Sequence, residues 1–151
     1  MSEGTASVVI DRPADVVWAA VADITRMGEW SPECTAGRWV GGGGPAVGAS
    51  FEGDNAAKFA GRTVKRWTTT SKVTACDPGR VFEFVAEGMT TWRYVLEPAP
   101  GGSGTRVTES FSYSPKGFQG FVYEQVLRRR AAMTKGMERT LGRLKAVLEA
   151  A

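Results

Sequence analysis

Along the middle of the chain apolar and polar residues alternate, and in the last third the period lengthens to that of a helix. From Lys116 to Ala151, the residues Val122, Val126, Met133, Met137, Leu141, Leu144 and Leu148 recur at steps of three, four or seven. They draw one apolar stripe down about eight helical turns. Arg129 and Arg130 break it. A long helix with one apolar side needs a large surface to cover it. Residues 34 to 114 read as a curved antiparallel sheet able to supply that surface.

Ahead of the sheet, Ser7–Ile10 reads as a short strand. Asp11-Arg12-Pro13 ends it and opens a helix, with Asp11 or Arg12 near the cap and Pro13 near the first turn. Val16, Val17, Ala20 and Val21 give that helix an apolar side. Asp23–Trp30 follows as a second short helix or turn, stopped by Ser31-Pro32, with the Trp30 ring placed to plug a core edge. Strands are then predicted over Cys34–Val40, Ala49–Asn55, Thr63–Ala75, Val81–Ala86, Thr91–Glu97 and Thr105–Tyr113. Gly41–Pro45, Cys76–Gly79, Glu87-Gly88 and Pro98–Gly104 connect them as turns. Ala56–Arg62, which contains Phe59, reads as a loop. The plan is α+β: one strand, two short helices, about six strands joined by hairpins, and one long helix, all in a single domain over residues 1–151.

Strand parity assigns an inner face. Phe51 and Asn55 share it in one strand, Trp67, Thr69, Ser71, Val73 and Ala75 in the longest, Phe82 and Phe84 in the next. Trp92, Tyr94 and Leu96 follow, then Val107, Glu109, Phe111 and Tyr113. The opposite parity carries Arg66, Lys72, Glu83, Arg93 and Arg106 and suits solvent. An aromatic wall with a few polar tips describes either a small-molecule pocket or a packed core with satisfied polar groups. On the pocket reading, the ligand-binding set is Phe51, Asn55, Trp67, Thr69, Ser71, Phe82, Phe84, Trp92, Tyr94, Glu109, Phe111 and Tyr113 from the sheet. Phe118, Val122, Val126, Arg129 and Met133 join it from the helix side.

Glu109 is the sharpest member, because a regular strand points its carboxylate inward, where burial is costly unless it is paired or protonated. It is either a ligand anchor or acid/base group, or a structural ion pair with Arg129 or Arg130, or it sits on a bulge that turns it to solvent. Glu109, Tyr94 and Tyr113 are the candidate catalytic groups.

Composition narrows the chemistry. The chain has no histidine, which removes the commonest general base, the commonest metal ligand and every Ser-His or Cys-His nucleophile. No metal-site or cofactor motif replaces it. The glycine run Gly41–Gly44 is followed by neither a Lys-Ser/Thr pair nor a helix, so it reads as a hairpin loop rather than a phosphate cradle. Cys34 and Cys76 make a weak case for a disulfide. No apolar run reaches membrane-span length and no secretory signal opens the chain, so a cytoplasmic protein is expected. From Lys116 onward eight Lys or Arg face three Glu, so the net positive charge of +3 comes from the long helix. That excess is either a surface for an acidic partner or a solvated helix face. No nucleic-acid partner is expected.

The order of elements resembles the START-like, or Bet v 1-like, superfamily (SRPBCC) of helix-grip proteins. More closely it resembles the bacterial polyketide cyclase/dehydrase and lipid-transport group. The stretches that carry the resemblance are Val9–Trp18, Asp23–Pro32, Phe51–Asn55, Trp67 through Asp77–Arg80, Thr91–Tyr94 and Gly104–Glu109. The resemblance implies a seven-stranded sheet wrapped round the C-terminal helix, with an internal cavity for an apolar ligand. It transfers no catalytic residue. The expected function is binding of a small hydrophobic or aromatic ligand, a lipid or polyketide-like metabolite. A cyclase, aromatase or dehydratase working in the same cavity is the alternative. A regulatory module binding a partner through the basic helix is the second.

Overall fold

The computed structural model describes the backbone of residues 2–113 and 123–151, and side chains over residues 3–113 and from 131 onward. Strand β1 runs Ser2–Ile10. It starts earlier than Ser7 because it pairs along its whole length with the last strand, from Ser2 opposite Tyr113 to Ile10 opposite Thr105. Its first inward residues, Gly4 and Ala6, are too small to show in an apolar pattern. Gly4 is required there, since a Cβ would lie 2.6 Å from the Phe111 ring.

Helix α1 spans Ala14–Ala22, with Pro13 as the capping residue itself. Val17, Ala20, Val21 and Ala22 are buried, whereas Val16 is exposed, one step off the face the other apolar residues share. A 3₁₀ segment, Ile24–Glu29, follows, its start held by Asp23, whose side chain accepts from the Thr25 N–H. Trp30 is buried at its end, as the sequence predicts.

The remaining strands are β2 (Cys34–Trp39), β3 (Ser50–Phe59), β4 (Arg62–Asp77), β5 (Val81–Ala86), β6 (Thr90–Pro98) and β7 (Thr105–Tyr113). They form one antiparallel sheet in the order β1-β7-β6-β5-β4-β3-β2. The predicted loop over Ala56–Arg62 is wrong. β3 continues to Phe59 and β4 begins at Arg62, so only Ala60-Gly61 turns, both with positive φ (54° and 79°). Two left-handed residues match the right-handed twist of a tight hairpin, and Ala is an uncommon choice for the first of them. β5 turns into β6 through three residues, Glu87 to Met89, of which Glu87 and Gly88 also have positive φ (55° and 66°).

Helix α2 is described over Tyr123–Ala150. Of the described stripe residues, Met137, Leu141, Leu144 and Leu148 are buried and Met133 is half-buried. The C-terminal half closes a solid core with Ile10, Val17, Phe82, Leu96 and Val107. Beyond Leu148 the helix end is tied to the β1–α1 junction. Arg12 donates to the Leu148 and Ala151 carbonyls, and the Asp11 N–H to the Glu149 carboxylate. Cys34 and Cys76 are both free thiols.

Candidate functional site

Over Ala132–Thr140, α2 does not press onto the sheet as its tail does. Between them lies a cavity of about 750 Å³. Its floor is the middle of the sheet: Phe51, Gly53 and Asn55 of β3, Trp67, Thr69 and Ser71 of β4, Phe84 and Ala86 of β5, Thr90, Trp92 and Tyr94 of β6, and Glu109 of β7. Its roof is Ala132, Met133, Gly136, Met137 and Thr140 of α2. Met27 and the Ser31–Cys34 segment form one rim, and Glu87 and Met89 another.

Alternation explains the floor. Burial along β4 runs buried at Ser71 and Val73, exposed at Thr70, Lys72 and Thr74. Along β7 it is buried at Thr105, Val107, Glu109 and Phe111. The aromatic side chains brace one another. Phe51 meets Phe84 edge-on at 5.0 Å and Trp39 at 5.5 Å, and Trp92 leans on Phe111 at 5.7 Å. Such contacts hold rings in place without closing the space above them. On the roof, Gly136 leaves room, since a Cβ built there meets nothing within 4 Å.

Of the predicted ligand-binding residues, Phe51, Asn55, Trp67, Thr69, Ser71, Phe84, Trp92, Tyr94, Glu109 and Met133 come together on this one cavity. Phe82, Phe111 and Tyr113 do not line it. Phe82 is wholly buried in the solid part of the core, where α1 and the tail of α2 cover the sheet. Phe111 is packed beneath Trp92 and against Gly4. Tyr113 is half-buried at the end of β7, outside the lining. Phe118 and Val122, and the side chains of Val126, Arg129 and Arg130, lie outside the described residues, and so does any pairing of an arginine with Glu109.

Several lining residues were missed. Ala86 and Thr90 follow from extending the strand parity of Phe84 and Trp92 by one step. Gly136, Met137 and Thr140 follow from the helical spacing of Met133. Met27 lies in a short 3₁₀ segment and Ser31–Glu33 in the connection to β2, and neither carries a periodic signal.

The polar centre of the cavity is Glu109, only 3% exposed. It faces Tyr94 directly across the β6–β7 ladder. The Tyr94 hydroxyl donates to Glu109 Oε2 at 2.8 Å. Among the described residues, nothing hydrogen-bonds Oε1. Burial raises the carboxyl from its ordinary 4.5 to about 8, and the Tyr94 hydrogen bond opposes that rise only in part. Burial, the nearby carboxylate and the hydrogen bond it donates push Tyr94 well above its usual range. At neutral pH the pair is therefore mostly a neutral acid and a neutral phenol. Asn55 is occupied, donating to Gly53 O at 3.1 Å and to Thr69 Oγ1 at 3.2 Å. The described acidic residues lining the cavity are Glu33, Glu87 and Glu109, and no described basic residue lines it. Among the described residues no group of three or more His, Cys, Asp or Glu is placed to hold a metal ion.

The family model described as "Polyketide cyclase / dehydrase and lipid transport" matches residues 1–149. Solved structures with this fold include the Polyketide_cyc-like protein Cgl2372 from Corynebacterium glutamicum. It is 37% identical over 97% of this chain and 91% of that one, with a TM-score of 0.68. Protein NE0264 from Nitrosomonas europaea superposes with a TM-score of 0.73 at 15% identity, over 99% of this chain and 95% of that one. The di-domain ARO/CYC protein BexL, from the BE-7585A biosynthetic pathway, gives 0.76 at 18% identity; the match covers 99% of this chain and 47% of BexL. At 15% and 18% identity these last two show the shared fold alone. No curated protein sequence matches the chain.

Proposed function

Because the chain belongs to the polyketide cyclase/dehydrase and lipid-transport family, and a large cavity lies between its sheet and helix, we propose that it binds a small hydrophobic or aromatic molecule there. The observation that carries this reading is the combination of an aromatic wall with a buried carboxyl oxygen that no described residue satisfies. A buried polar atom without a partner costs about 1–3 kcal/mol. A ligand polar group at Oε1 removes that cost, while its apolar body covers Phe51, Phe84 and Trp92. The cavity volume suits a molecule of a few fused rings or an acyl chain.

The test is native mass spectrometry of the purified protein, then saturation with Nile red and competition by candidate ligands. A Gly136→Trp variant, which fills the roof, serves as the control. The reading expects one saturable site that this variant abolishes. Loss of saturable binding in the native protein, or uptake indifferent to the filled cavity, overturns it.

A second reading is favoured by the Tyr94–Glu109 pair itself, an acid and a phenol hydrogen-bonded at the cavity wall. Such a pair can protonate a carbonyl or accept a proton beside it, as a cyclase or dehydratase requires. On that reading Glu109→Gln keeps ligand affinity and loses turnover of the bound compound. Retained turnover rejects it.

A further inference from the structure

The β3–β4 hairpin projects beyond the rest of the sheet. β2 pairs with β3 only as far as Asn55, and β5 pairs with β4 only from Ser71 onward. Beyond Asn55, Ala56–Phe59 and Arg62–Arg66 are a two-stranded ribbon whose ladder partners are each other. Its tip is apolar and open: Phe59 is 75% exposed and Val64 63%. Around them stand Lys58, Arg62, Lys65 and Arg66, and no Asp or Glu occurs between Asn55 and Cys76. Among the described residues none of these four cations is in an ion pair with a carboxylate. Lys65 instead lies over the Trp67 ring, 5.5 Å from its centroid.

A protruding ribbon with an aromatic and an aliphatic side chain at its tip and unneutralised cations behind it fits one kind of surface. We propose that this hairpin docks on an anionic lipid bilayer, with Phe59 and Val64 entering the acyl boundary and Lys58, Arg62, Lys65 and Arg66 meeting the headgroups. The charge pattern and the apolar tip match that surface together. A nucleic acid would engage the cations and leave Val64 without a role. Asn55 and Trp67, at the base of the ribbon, line the cavity. Docking therefore brings this side of the cavity towards the membrane, where hydrophobic molecules reside. That consequence rests on the ligand-binding reading; the docking itself does not.

The experiment is co-sedimentation of the full chain with vesicles of phosphatidylcholine alone and of phosphatidylcholine with phosphatidylglycerol. It uses the native protein, Phe59→Ser, and the double variant Arg62→Gln/Lys65→Gln. Far-UV circular dichroism confirms that each variant folds. Nile red uptake, measured without vesicles, is expected unchanged, because none of the substituted residues lines the cavity. Docking predicts binding that requires phosphatidylglycerol and weakens with added salt. Removing two cations lowers the partition by at least tenfold, since each basic residue near the surface contributes roughly fivefold. Phe59→Ser lowers it by a similar factor. Absence of binding to the anionic vesicles overturns the proposal, as does equal binding of the native protein and Phe59→Ser. Concentration-dependent dimerisation that Phe59→Ser abolishes, with no vesicle binding, also overturns it and assigns the tip to a second copy of the chain. If vesicle binding fails while Nile red still saturates, only the docking proposal falls. The reverse result removes only the ligand-binding reading.

Discussion

Tyr94 and Glu109 sit opposite each other on adjacent strands, and the Tyr94 hydroxyl donates to Oε2 while the buried Oε1 has no described partner. This one hydrogen bond, the only one to the carboxyl among the described residues, offsets the effect of burial only in part. Glu109 therefore holds its proton into the neutral range.

This makes stability depend on pH in a defined direction. The folded-state value of about 8 lies above the ordinary 4.5. The stabilisation that Glu109 contributes is full below the ordinary value and is lost progressively as pH rises towards and through about 8. Urea denaturation at several pH values across that window is expected to show a decline of a few kcal/mol attributable to this group. In Glu109→Gln, which keeps the shape and cannot ionise, that decline disappears. A native protein as stable at pH 9 as at pH 5 contradicts the assignment.

Tyr94→Phe removes the only described donor to the carboxyl. It is expected to destabilise the fold by about 1–3 kcal/mol, the cost of leaving a buried polar group unpaired. It also moves Glu109 further upward, because the lost hydrogen bond was the opposing influence. Carbon-detected NMR titration of the Glu109 carboxyl reads the second effect directly. A downward shift would be inconsistent with the observed geometry.

The roof of the cavity and the solid end of the grip respond differently to mutation. Leu144 is wholly buried, and Leu144→Ala is expected to cost about 2–5 kcal/mol through lost contacts and a new void. Gly136→Ala is expected to stabilise the protein by about 0.5–1 kcal/mol, since glycine is a poor helix former. The added methyl meets nothing within 4 Å. Thermal unfolding of the two variants checks both signs.

Two glycines hold β2 against the 3₁₀ segment. A Cβ on Gly37 would lie 2.3 Å from the Ile24 carbonyl oxygen, and one on Gly28 would lie 2.4 Å from the Thr35 carbonyl oxygen. Both obstacles are backbone and cannot rotate away. Gly37→Ala is expected to destabilise by about 1–3 kcal/mol, as overpacking does. Because this segment carries Met27 and leads into the Ser31–Cys34 rim, weaker Nile red binding is expected to accompany the loss.

What the sequence by itself determined was local. A period of two placed Thr69, Ser71, Trp92, Tyr94 and Glu109 on one side of a sheet. A helical period named Met137, Leu141, Leu144 and Leu148 as the buried stripe, and Pro and Gly marked most of the turns. These follow from backbone geometry, which repeats regardless of what lies opposite. The tertiary structure decided what lies opposite. Phe82 and Phe84 have the same parity, yet α1 and the tail of α2 cover the first and the cavity opens over the second. For Glu109 the sequence leaves open a ligand-facing group, an ion pair with Arg129 or Arg130, or a bulge; its described partner is a tyrosine one strand away, set by the β6–β7 register. The ends of the strands flanking Ala60-Gly61, Ala56–Phe59 and Arg62, were missed because an alanine with positive φ gives no turn signal. Only the pairing of β3 with β4 makes that turn worth its strain.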